Sequence, residues 1–297
     1  MTLRNAAFER FTRRALTAAA TLAVLGVSTF AAGIEGCGGT TGLRRVSFVT
    51  RVGATESATP GGWTFANRAG WSVTLTEARA AIGPIYFNTL APLESARRSP
   101  ARPPRTVLEG LRAMLVPLAH ADGESHFGGG RIVAEVNEQR EVDLLDPTLD
   151  SFARPTQGVD EAVRTAEMWL YNRESMSNSV VRVRGTATRD GRTVPFSGAL
   201  AIDPADATQE QPLDALRQVR GIPIEFIPDE EITVNLRVDL RPCFNNADFS
   251  ELESSALDRD GTHHFSKNDN VGASFNAGLR SVRGTWNFRV EPKPTQR

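Results

Sequence analysis

The sequence is poor in the residues that most often carry a chemistry of their own. Cysteine occurs twice in 297 residues, as Cys37 and Cys243, and histidine four times. Two cysteines cannot build a disulfide-rich scaffold or a zinc cluster, which need several at close spacing. Gly-x-Ser-x-Gly, His-Glu-x-x-His, a phosphate-binding glycine loop and Cys-x-x-Cys are all absent, so no standard catalytic signature is present. Lysine is nearly missing: only Lys267 and Lys293 occur, and arginine supplies the rest of 34 basic residues against 35 acidic ones. That near-neutral balance, with no basic stripe, argues against nucleic-acid binding. Long apolar runs are lacking too. The uncharged stretch Ala15–Phe30 is shorter than the roughly 20 residues that span a bilayer as a helix.

That short run nevertheless has telling flanks. Arg4, Arg10, Arg13 and Arg14 precede it, and Ile34-Glu35-Gly36-Cys37 follows, with a Gly/Thr tether from Gly38 to Gly42. A basic head, a short apolar body and a small-residue exit predict a secretory signal peptide over residues 1–36. Cys37 at the exit is the expected lipid-attachment residue of a bacterial lipoprotein, although Glu35 departs from the small or apolar residue preferred there. The alternative is cleavage near Ala31-Ala32. A disulfide between Cys37 and Cys243 then becomes open; if Cys37 is acylated, Cys243 is a lone thiol, most simply buried. The expected organisation is signal peptide 1–36, flexible tether 37–43, and a β-sandwich-like domain over 44–297. An acyl anchor would hold the protein on the membrane of the cell envelope, as a periplasmic or outer-membrane lipoprotein. Loss of residues 1–36, with four arginines and two glutamates, takes the net charge from −1 to −3.

Beyond the tether the chain reads as alternating strands. Val46, Phe48, Thr50 and Val52 alternate with polar neighbours, as do Trp71, Val73 and Leu75, and Ile82–Phe87 follows a break at Gly83-Pro84. Such alternation predicts one buried and one wet face. Residues 91–106, rich in Pro, Ser, Ala and Arg, are expected to form a mobile loop. Residues 159–170 fit a helix or a strand equally. Asp190-Gly191 between two alternating runs predicts a hairpin. Ile222–Phe226, then Ile232–Leu240 after a turn at Pro228-Asp229, read as further strands, and Val282–Val290 as the closing one. A helix is expected over Asn270–Leu279, with Val271, Phe275 and Leu279 on one face. Many short strands and little helix give a mostly β fold, an antiparallel β-sandwich with one or two short helices.

Candidate ligands are few. His120, Asp122, Glu124 and His126 are evenly spaced, but on a flat strand the outer two would lie roughly 20 Å apart. A shared metal needs the chain to fold back, which Gly123 and Gly128–Gly130 would permit. One of the adjacent His263 and His264 could complete such a site, since neighbours on a strand face opposite ways. The candidate metal set is therefore His120, Asp122, His126 and His263. Trp63, beside Gly61-Gly62, is expected in a loop where it could touch a ligand or partner; Trp71 and Trp286 are in phase with core residues. Asp143, Asp146 and Asp150 are expected as turn residues around Pro147. Asp258–Gly261 lacks the acids of a calcium loop. The paired arginines Arg182 and Arg184 are expected on a solvated strand face.

The segments Trp71–Ala78, Ile82–Phe87, Ala119-His120-Ala121, Val238-Asp239-Leu240 and Ala247–Ser250 resemble a group of uncharacterised bacterial lipoproteins from GC-rich genomes. More distantly, the chain is similar to periplasmic β-sandwich lipoproteins linked to copper handling. The resemblance implies an anchor, a β fold and a metal such as copper or zinc, and brings no established activity. The expectation is a non-enzymatic, lipid-anchored binder of an envelope partner or small ligand. A structural or assembly lipoprotein without a ligand, or an envelope hydrolase, are the other readings.

Overall fold

A computed structural model describes residues 43–91 and 130–292, and the compact unit begins at Arg44. The expected loop beyond Ala91, the apolar stretch near Leu108–Leu118 and the His120–His126 segment lie outside the described residues. In chain order the strands are β1 (Arg45–Ala54), β2 (Trp63–Ala66), β3 (Ser72–Ile82), β4 (Ile85–Asn88) and β5 (Ile132–Val136). There follow β6 (Arg140–Asp143), β7 (Asp150–Ser151), β8 (Thr156–Val159), β9 (Val163–Trp169), β10 (Val181–Arg189) and β11 (Arg192–Leu200). A short helix α1 (Leu213–Arg217) leads into β12 (Gln218–Phe226) and β13 (Ile232–Val238). Helix α2 (Arg241–Phe244), strand β14 (His263–Phe265), helix α3 (Asn270–Leu279) and strand β15 (Trp286–Pro292) complete the chain.

The fold is mostly β, with two sheets packed as a sandwich that approaches a barrel. The larger sheet has the order β12-β9-β4-β5-β8-β1-β13-β15, with β7 against β1; the smaller is β14-β11-β10-β3-β2, with β6 against β3. Alternation explains both. On β1, Val46, Phe48, Thr50 and Val52 are all buried, and the Thr50 hydroxyl shares a 2.6 Å hydrogen bond with that of Thr156. The ambiguous segment 159–170 is a strand, because Ala166, Met168 and Leu170 all enter the core. The β10–β11 hairpin turns at Asp190 and Gly191, both at positive φ (53° and 75°). This conformation suits Asp-Gly and matches the strand twist.

The expected antiparallel sandwich has two exceptions: β1 pairs with β13, and β11 with β14, in parallel. Both pairs join segments distant in sequence, so no hairpin dictates their direction. The turn at Pro228-Asp229 joins strands that are not neighbours. It carries the chain from β12, at one end of the larger sheet, to β13 near the other. Aromatic contacts show how far that sheet curls. Phe226 of β12, Phe87 of β4, Phe48 of β1 and Phe288 of β15 meet inside it, with ring centroids 5.4–6.1 Å apart. A second aromatic cluster lies under the helices: Phe196, Phe244, Phe249, Phe265 and Phe275.

Helix α3 spans the expected residues. Asp269 caps it by accepting from the Gly272 amide at 2.8 Å, the usual role of Asp before the first turn. A side chain at Gly278 would come within 2.2 Å of Cys243 Cα, so only glycine allows α3 to lie this close to α2. None of the helices among the described residues is long and apolar enough to cross a membrane.

Candidate functional site

Of the residues singled out above, Cys37, His120, Asp122 and His126 lie outside the described residues. His263 and His264 point to opposite faces of β14, as adjacent strand residues must. His263 is buried, and its Nδ1 lies 3.0 Å from the Ser255 carbonyl oxygen; His264 is exposed, 3.4 Å from Ser197 Oγ. Among the described residues no group of three or more His, Cys, Asp or Glu could hold a metal ion. Trp63 is not on a loop. It opens β2 at 3 % exposure and packs on Phe65, so its ring belongs to the core. The reason is register: Trp63 pairs with Leu75, whose side chain faces inward. Cys243 is free and fully buried, and burial pushes its thiol well above the ordinary range, which makes it inert. Asp143 and Asp146 accept from amides two residues on, the turn role expected of them.

Among the described residues, one cavity is lined by a cluster of arginines. It measures about 540 Å³ and lies beside β15, between the ends of β1 and β13 and the loop after α3. Such a volume suits a small molecule. Arg237, Arg241, Arg283 and Arg289 line it with Glu56 and Asp239. Arginines outnumber carboxylates along this lining.

The arginines are held in different ways. Asp239 directly follows β13 and pairs with Arg241: its oxygens accept from the Arg241 amide at 2.9 Å and from Nε at 2.9–3.0 Å. Those bonds hold the Arg241 pKa up, and its guanidinium lies 5.9 Å over Trp63. Arg237 donates to the carbonyls of Ala54 and Pro147 at 2.9 and 2.7 Å. Its Nε is 3.6 Å from Glu56 Oε1, and Arg289 reaches the same oxygen at 3.4 Å. Arg237 pairs across the ladder with Asn287, and Arg289 with Asn235, so all four share the face away from the core. The sequence reading missed this site because its arginines are spread over some fifty positions and look like general arginine usage. The one available signal was phase: Arg237 and Arg289 fall between the core positions of β13 and β15.

A second polar feature was also missed. On the larger sheet, Tyr86 lies opposite Glu167, and Trp169 opposite Gln218, on the side away from the aromatic core. Strand alternation turns these side chains outward, yet Glu167 and Gln218 are 2 % and 7 % exposed. Glu167 Oε1, Trp169 Nε1 and both amide atoms of Gln218 are buried without a hydrogen-bond partner. Burial raises the Glu167 pKa from 4.5 to about 7; Arg220, 3.8 Å away, and the Trp169 indole oppose that rise without cancelling it.

No family model matches this chain, and no curated protein or solved structure matches it.

Proposed function

We propose that this chain is an exported, acyl-anchored envelope protein whose β-sandwich binds a small ligand without transforming it. Binding rests on one observation, the 540 Å³ cavity beside β15 with its arginine-rich lining. It is large enough for a metabolite-sized molecule, and Arg237 and Arg241 are held in place to orient one. Anchoring rests on the basic head, the short apolar body and Cys37 at the end of the exit sequence. The copper or zinc reading rests on His120, Asp122, His126 and His263, and of that set only His263 is among the described residues.

One experiment tests both halves. The full chain, produced in bacteria and purified in mild detergent, is screened by thermal shift against small molecules of mixed charge. A ligand at a hundredfold excess over its Kd raises stability by about 2.7 kcal/mol, a shift such a screen resolves. Asn287→Trp, which fills the cavity from its rim, should abolish the shift. Radiolabelled palmitate should be incorporated by the parent protein and not by Cys37→Ser. A screen with no hit, or hits indifferent to Asn287→Trp, would end the binding half; labelling that survives Cys37→Ser would end the anchor.

A further inference from the structure

We infer that the ligand of this cavity is a small anion carrying at least two carboxylate or phosphate groups, and that Glu56 holds the place of one of them until it arrives. The inference rests on the binding role proposed above and goes further, to the ligand's chemistry.

The argument begins with the unequal grip of the two carboxylates. Asp239 is 6 % exposed, and it meets Arg241 through paired bonds of 2.5–3.0 Å, amide included. That is the close, two-pronged geometry of a strong guanidinium–carboxylate pair. Glu56 is different. Its side chain is 65 % exposed, and a single oxygen, Oε1, serves both Arg237 at 3.6 Å and Arg289 at 3.4 Å. Charge-assisted bonds of good geometry are several tenths of an ångström shorter. Exposed, loose pairs contribute little to stability, so exchanging Glu56 for another anion costs the fold little.

The cations, by contrast, are prepared for that exchange. Arg237 is fixed by the Ala54 and Pro147 carbonyls and does not depend on Glu56 for its position. Arg289 projects from β15 with its side chain 66 % exposed, at the rim of the cavity. Planar guanidinium forks match carboxylate and phosphate oxygens better than any neutral group does. The charge count sets the number of anionic groups. Asp239 is taken up by Arg241, so displacing Glu56 leaves two guanidiniums, Arg237 and Arg289, to meet the ligand. A single anionic group would answer only one of the two, and the volume far exceeds what a halide needs.

The test uses the full chain in detergent, with citrate and pyrophosphate as probes and glycerol as the neutral control, followed by calorimetry at low and high salt. Glu56→Gln removes the internal competitor and should tighten binding of the preferred probe by about tenfold, while Arg289→Ala should weaken it by a similar factor. The stronger of citrate and pyrophosphate identifies carboxylate or phosphate as the natural group. An affinity that is unchanged or lowered in Glu56→Gln would overturn the place-holding role. Failure of both anions to bind would overturn the anionic class. If a neutral or cationic molecule from the thermal-shift screen binds and is blocked by Asn287→Trp, the binding role stands and only the present inference falls.

Discussion

The outer faces of the two sheets are built from the same kinds of residue and behave in opposite ways. On the smaller sheet the charges stand in solvent and answer one another: Arg182 with Glu77 at 3.6 Å, Arg184 with Asp260 at 2.6 Å, and Arg79 with Glu141 at 3.0 Å. On the larger sheet Glu167, Trp169 and Gln218 are mostly covered; four of their polar atoms make no hydrogen bond, and Glu167 faces Arg220 at 3.8 Å. Period-two alternation put polar residues outward in both cases. What separates them is water. In solvent, ion pairs cost little to form and yield little; under cover, each unpaired polar atom keeps its full desolvation penalty. The contrast teaches that polar residues on a strand do not make a wet face, and that burial with too few hydrogen bonds shifts the chemistry of its acid.

The sharpest way to break the comparison is to remove that acid. Glu167 has a folded-state pKa of about 7 against an ordinary 4.5. Its protonated form is the one the fold favours. The stability it contributes is therefore complete below about pH 4.5 and is lost as pH rises toward 7, by roughly 3 kcal/mol in all. Urea denaturation should show the parent protein weaker at pH 8 than at pH 5 by about 2.5 kcal/mol, since part of the loss is complete by pH 5, with other titrating groups common to both proteins. In Glu167→Gln this component should vanish. An identical difference between pH 5 and pH 8 in the two proteins would show that the carboxyl is not responsible.

A smaller effect is expected at Gln218, whose amide atoms are both buried and unpartnered. Gln218→Leu removes two unsatisfied groups at nearly constant volume and should stabilise the protein by about 1–2 kcal/mol. Destabilisation, measured as a lower urea midpoint at unchanged slope, would mean that the amide is held by bonds after all. The smallest effect belongs to the exposed face. Arg182→Ala breaks the pair with Glu77 and should cost under about 1 kcal/mol, less still in high salt. A larger loss would dissolve the distinction between the two faces.

Much of this architecture was readable from local pattern. The burial of Val46, Phe48 and Val52, the Asp190-Gly191 hairpin and the apolar face of Asn270–Leu279 follow from spacing and turn chemistry over a few residues. The candidate site was not readable. Glu56, Arg237, Arg241, Arg283 and Arg289 come together only because β13 pairs with β15 and runs beside β1. Strand alternation states which residues share a face of one strand, and it is silent on which strands are neighbours. Trp63 shows the same limit at short range: neighbouring glycines suggested a loop, and pairing with β3 made it a core residue.

By itself, the sequence determined most of the long strands, the principal hairpin, the helix and the mostly β class, because period-two and helical spacing report directly on which side chains leave water. Tertiary structure alone decided the parallel pairings, the curling of the larger sheet around its phenylalanines, the covering of Glu167 and the gathering of four arginines around one cavity. These depend on contacts between residues far apart in the chain, and no local pattern encodes the distance between them.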